Sequence, residues 1–473
     1  MQLKLKNILI IFLNIFFITL FIIFKPGFLI SMIFLVWINL MIYSLLNLKC
    51  RISLFTFGFC FFNFLLGRQF LEKFFSYKVE DFSKKTNMHA ELAILISLIT
   101  IFIFYIFFSK ENKNNIDKTN NINSTRTNII RDISKKLFYL SNSLGIINAL
   151  IKSYLAISNG YYSTFTGDGI SIQQNNIIIY VFDKFEQMLP IFVAIFFATL
   201  PKKKQCKKII LFYLIYLILT IFTGHRSNFI VGILWIIVYL VYRENNSEEI
   251  WIEKKYLVAA CLSFPLFIIL LGVVGQLRAG LNVKNFNVFK IFIDFFYDQG
   301  VSINVIKRSY NLSELLNSDR YYSLSFIPES IIGRMLGFKQ YVGNTVEHAQ
   351  KGYNLSHTLS YALMGNKYLN GVGTGTSYIA ELNHDFGYVG VFFGNILYAW
   401  LLAMFNRVKA KKIYFKAAIF LIMRQLLWSP RGNFSDVFLI LLQPFPILAV
   451  LFTYIVYSAA IKKFKLKKLY RYD

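Results

Sequence analysis

The sequence predicts an all-α polytopic membrane protein with one large extracytoplasmic loop. Three observations lead there. The 473 residues are 56% apolar and only 16% charged, against about 25% charged in soluble domains. The apolar residues fall in runs near the length needed to cross a hydrocarbon layer of about 30 Å. The basic residues cluster in the short gaps between those runs, the mark of cytoplasmic loops. A helix satisfies its own backbone hydrogen bonds in lipid, and the roughly ten-residue alternating segments of a β-barrel are absent.

The runs follow in order. The first spans residues 7–24, behind Lys4 and Lys6, and its length and lack of a small-residue cleavage site make it a retained helix. Lys25-Pro26-Gly27 turns the chain into the second run, 28–48, and Lys49 and Arg51 precede the third, 52–66. A polar stretch, 67–89, leads to the fourth run, 90–108. Residues 110–136 are rich in Asn, Lys and Thr without apolar periodicity and read as a loosely ordered loop. The fifth run, 137–157, contains Lys152. The Gly-, Tyr- and Ser-rich 158–176 carries Asp168 as its only charged residue. The sixth run, 177–200, holds Asp183, Lys184 and Glu186 and closes on the basic 201–208. The seventh and eighth, 209–222 and 229–242, are joined by Thr223-Gly-His-Arg226-Ser-Asn228, and the ninth is 256–276. A long polar interval follows, then the tenth, eleventh and twelfth runs at 388–405, 413–428 and 437–460, with a short link, 429–436, before the last.

About twelve membrane helices thus emerge. With both termini in the cytoplasm, more than half of the 51 Lys and Arg fall on the cytoplasmic side, and the interval is forced outside. The chain divides into helices 1–9 with short loops (1–276), the extracytoplasmic loop (277–385), and helices 10–12 with a basic tail (386–473). The net charge of +27 is this loop bias and not a nucleic-acid surface. The four cysteines sit in or beside apolar runs without metal-ligand spacing, and no internal repeat is visible.

Two groups of residues suit chemistry. Arg226, Arg278 and Arg431 lie at or near outer helix ends. An arginine at that depth is costly unless it meets water or an anion, and its planar fork matches phosphate oxygens; together the three suit a lipid diphosphate. The bland reading anchors each at the headgroups. Glu381, His384 and Asp385 share one face if the chain is helical from about Ser377. Glu381 or His384 then suits the acceptance of a hydroxyl proton; the bland reading is a charged helix cap with Thr376 or Ser377 capping. Gly371, Gly373 and Gly375 allow a sharp turn before that helix. The interval carries three of the five histidines, His348, His357 and His384; the first two have weaker claims, and no metal spacing or cofactor motif appears. Tyr161, Tyr162, Tyr321, Tyr322, Tyr353 and Tyr361 are candidates to stack on sugar rings.

The link Thr223-Gly-His-Arg226-Ser-Asn and the segment Gly373-Thr-Gly-Thr-Ser-Tyr-Ile-Ala-Glu381-Leu-Asn-His-Asp-Phe-Gly387-Tyr-Val-Gly390 resemble the Wzy-type O-antigen and oligosaccharide repeat-unit polymerases, as does the plan of many helices with a late outer loop. The resemblance implies a membrane-embedded inverting glycosyltransferase of the GT-C type in a bacterial inner membrane. It would join undecaprenyl-diphosphate-linked oligosaccharides into O-antigen or capsule, without cofactor, among membrane lipids, with a chain-length regulator as a further partner. Arg226 and Glu381 lie on the matched motifs. Arg278 and Arg431 are assigned by position, as diphosphate binders, with Arg278 also in a catalytic role. The rival functions are an O-antigen ligase and a lipid-linked oligosaccharide flippase. A flippase would line a central cavity with charges from several helices.

Overall fold

The computed structural model describes residues 2–110, 125–166, 176–223, 226–278, 287–316, 319–408 and 412–469. Among them there are helices and turns and no strand, apart from an isolated bridge between Thr166 and Asn344. The long helices are α1 (Gln2–Phe24), α2 (Phe28–Leu45), α3 (Leu48–Phe75), α4 (Lys84–Lys110), α5 (Thr125–Ser158), α6 (Ile177–Ala198), α7 (Lys203–Phe222), α8 (Arg226–Asn246) and α9 (Lys254–Arg278). The interval holds short helices: α10 (Val288–Gln299), α11 (Ser302–Asn311), α12 (Ile331–Met335), α13 (Val346–Lys351), α14 (Leu355–Met364) and α15 (Asn366–Leu369). Then come α16 (Tyr378–Asn406), α17 (Ile413–Trp428), α18 (Asp436–Leu442) and α19 (Pro444–Leu469).

Each of the apolar runs lies in helix, but eight helices among the described residues are long and apolar enough to cross a membrane. Two of the others fall short for visible reasons. Helix α17 has 16 residues, roughly 24 Å at 1.5 Å per residue. Helix α6 concentrates Asp183, Lys184 and Glu186 in its first half. In α1 and α9 the described side chains form the shorter apolar stretches Ile11–Phe24 and Pro265–Gly275.

The reading of 110–136 as a loop is corrected from Thr125 onward, where α5 begins. Its polar first turns are held by position. Ile130 and Ile133 are buried, and Arg131 donates to the Thr199 carbonyl (2.9 Å) and hydroxyl (3.1 Å) at the end of α6. Residues 111–124 lie outside the described chain, as does Asp168.

Helix α16 packs along α4, α5 along α6, and α17 crosses α6. Polar ties lie inside the apolar mass: the buried Asn395 amide of α16 donates to Ser97 Oγ of α4 (3.1 Å), and Trp235 Nε1 of α8 donates to the Phe420 carbonyl of α17 (2.7 Å). Gly387 interrupts α16 at φ 62°, leaving a short arm, 378–386, before the long apolar part. This arm and the link after α17 meet over the interval, and there the candidate site lies.

Candidate functional site

The link between α17 and α18 is short and shaped by its own residues. Pro430 opens a 3₁₀ turn, Ser429–Arg431, that presents Arg431. Arg431 Nη1 donates to Gln299 Oε1 and to the Gln299 carbonyl, each at 3.1 Å, at the end of α10. The Gln299 contacts fix the orientation of one guanidinium nitrogen.

Glu381 holds the same link from behind. It is 0% exposed; Oε1 accepts from the Thr376 hydroxyl (2.9 Å) and Oε2 from the Phe434 backbone N–H (2.8 Å). The expected helix from about Ser377 is present, beginning at Tyr378, with Thr376 tied to Glu381. The three acidic and imidazole groups of this arm do not share one destination. Glu381 points at the link, while one turn later His384 Nδ1 lies 2.9 Å from Asp385 Oδ1, and Asp385 Oδ2 accepts from the Ser323 N–H and hydroxyl at 2.6 Å.

Arg431 faces a cavity of about 330 Å³ lined also by Ser227, Gln299, Asn344, His357, Trp428, Tyr161 and Tyr162, with Gly371, Gly373 and Gly375 along one side. Two of these glycines need their lack of a side chain. Gly371 has φ +91°, and a Cβ there would lie 2.1 Å from the Tyr162 carbonyl oxygen; Gly375 has φ +74°. The chain can therefore pass close to the 161–166 segment and then turn into α16. That segment is pinned to the interval by the Asn344 N–H donating to the Phe165 carbonyl (2.9 Å).

His357 enters this cavity from α14. Its ring stacks on His348 at 3.6 Å, and Nδ1 lies 2.8 Å from the Tyr368 hydroxyl, itself 3.4 Å from the Thr345 carbonyl. When that hydroxyl donates to Thr345, Nδ1–H donates to Tyr368 and Nε2 carries a lone pair. Burial, with His348 adding, pushes His357 down to about 3, and burial lowers His348 as well; both rings are neutral near pH 7.

Arg226 opens α8 next to Ser227, which lines the cavity, and Arg278 closes α9; both side chains lie outside what the structure describes. Glu381 lines neither this cavity nor the two that follow. His384 and Asp385 line a second cavity, of about 370 Å³. A third, of about 300 Å³, gathers Lys152, Asp183, Glu186 and Arg424. There Lys152 pairs with Asp183 (2.7 Å) and Glu186 (3.0 Å), tying α5 to α6.

Of the candidate tyrosines, Tyr161 and Tyr162 line the first cavity and Tyr321 the second, whereas Tyr322 is buried. Sequence reasoning passed over Gln299, Tyr368 and Trp428 and ranked His357 low. The one available signal was the placement of Trp428 immediately before Ser429-Pro430-Arg431.

The family model for O-antigen polysaccharide polymerase Wzy matches residues 5–463. No curated protein and no solved structure matches the chain.

Proposed function

The chain belongs to the O-antigen polysaccharide polymerase Wzy family, and we propose that it joins undecaprenyl-diphosphate-linked repeat units on the outer face of a bacterial inner membrane. The observation that carries this reading is one cavity combining Arg431, the start of α8 at Ser227, a neutral His357 and the aromatic rings of Tyr161, Tyr162 and Trp428. An arginine fork suits diphosphate oxygens, and tyrosine presents an apolar body with a polar tip, which matches the two kinds of surface on a sugar.

In the proposed reaction the acceptor hydroxyl oxygen bonds to the anomeric carbon from the face opposite the diphosphate. The bond from that carbon to the phosphate oxygen breaks, and its electron pair leaves with the diphosphate. Arg431, assisted by Arg226 and Arg278, stabilises the charge gathering there. His357 Nε2 accepts the hydroxyl proton. The diphosphate charge developing beside the ring raises its basicity as the bond breaks. Inversion follows from the single displacement. Glu381 acts by positioning: its two accepted hydrogen bonds fix the 429–435 link and hence Arg431. With both termini cytoplasmic, about twelve spans and a GT-C-like arrangement, the interval 277–385 forms the outer roof of this site.

The third cavity is the observation that favours a flippase, since its charges come from several helices. Lys152, however, is spent on two carboxylates of the adjacent helix, as a structural tie would be. The test is a strain lacking the gene, complemented with Arg431→Gln. Single capped repeat units with no ladder support polymerisation; absence of any capped glycan points to a ligase or flippase.

A further inference from the structure

We propose that the second cavity is a separate glycan subsite, holding the sugar of one of the two lipid-linked substrates while the Arg431 cavity holds the diphosphate end of the other. This rests on the polymerase reading. The cavity lies between the end of α11 and the short arm of α16. Ser309, Tyr310 and Ser313 come from one side, Arg320 and Tyr321 from another, and His384 and Asp385 from the third. Its volume of about 370 Å³ falls within the roughly 300–1,000 Å³ usual for small-ligand sites.

The chemistry is that of neutral carbohydrate recognition. Hydroxyl, imidazole and guanidinium groups offer both donors and acceptors, and the two tyrosines offer apolar faces. These rings are held in place: Tyr310 stacks on His89 at 4.0 Å, and Tyr321, 52% exposed, stacks on Phe386 at 5.4 Å. The polar wall is equally fixed, because the Asp385 carboxylate is clamped by both donors of Ser323 and its side chain is 0% exposed, leaving His384 at the surface of the cavity. Arg320 is braced by the Gly352 carbonyl (2.7 Å). A preformed set of this kind costs little ordering when a ligand enters.

Placement gives the subsite its role. Glu381 and Asp385 stand on the same arm, four residues or roughly 6 Å apart along the axis. Glu381 holds the link that presents Arg431 to the first cavity, and Asp385 anchors the wall of the second. One arm thus braces the link that carries Arg431 and also supplies a wall of the second cavity, the arrangement a two-substrate transfer needs.

The experiment uses the full chain purified in detergent and the repeat-unit glycan of the same strain, released from its lipid by mild acid. Binding is followed by saturation-transfer NMR and calorimetry. Tyr321→Ala removes an exposed ring, and Ser313→Trp fills the cavity from an exposed position. Both should weaken glycan binding roughly tenfold or more, with the melting temperature kept. No glycan binding by the unaltered chain, or unchanged binding in both cavity variants, would overturn the subsite. These outcomes are separate from the ladder test, which reads the polymerase reaction itself.

Discussion

Replacement of Arg431 separates its charge from its geometry. The guanidinium is aimed by two contacts to Gln299 at 3.1 Å. Arg431→Gln keeps a polar group but removes the charge. Loss of a single preorganised donor to a developing oxyanion costs about 2.7–4 kcal/mol, or roughly 100–1,000-fold in turnover. Arg431→Lys keeps the charge as a point and loses the fork, so an intermediate loss of roughly tenfold is expected. Gln299→Leu leaves the arginine but removes one of its braces, worth about 1 kcal/mol or roughly fivefold. The assay is the initial rate of ladder formation by purified protein on lipid-linked repeat units, with protein amount normalised. The order of activity should be wild type, Gln299→Leu, Arg431→Lys, Arg431→Gln. Equal rates in wild type and Arg431→Gln, at equal folded protein, would refute the placement of the diphosphate.

Three further outcomes follow from the same geometry. Glu381→Ala leaves the Phe434 N–H and the Thr376 hydroxyl without their buried acceptor, at about 1–3 kcal/mol each; a drop in melting temperature of the fluorescently tagged protein measures it, with Glu381→Gln milder. His357→Gln should lower kcat by roughly 100-fold or more with KM little changed. Because the folded His357 sits at about 3, below its ordinary value near 6.5, the neutral form persists in the free protein as pH falls, and kcat/KM should lack a histidine-like fall between pH 7 and 5. By linkage the same depression makes stability decline as pH drops below about 6.5 toward 3. Glu329 has the opposite sign. Burial, with Asp436 adding, raises it to about 7, and burial raises Asp436 to about 6. Their contribution is greatest below about pH 4 and fades as pH rises through 6–7. Glu329→Gln should therefore raise thermal stability at pH 8 more than at pH 5, measured by thermal unfolding at both.

The membrane class was legible because it rests on composition and run length, which no tertiary contact overrides. The helix at 378 and the turn at Gly371 and Gly375 were legible for a similar reason, since each is set by local backbone chemistry. What was not legible is where side chains converge. Glu381, His384 and Asp385 share a helical arm, yet one faces the 429–435 link and the others a different cavity. The partner that decides this is Phe434, 53 residues away. His357 looked plain in sequence because its significance comes from Tyr368 and from a cavity wall supplied by 161–162 and 428–431. Helix count was legible only in part: charges in α6 and the shortness of α17 blur the criterion that finds the others.

The most direct measurement is reconstitution of the purified chain with lipid-linked repeat units alone, following glycan length and free undecaprenyl diphosphate together. Polymerase chemistry requires one diphosphate lipid released for each new linkage, with the anomeric configuration at that linkage inverted. Ladder growth without diphosphate release, retention of configuration, or movement of repeat units across the bilayer with no change in length would contradict it.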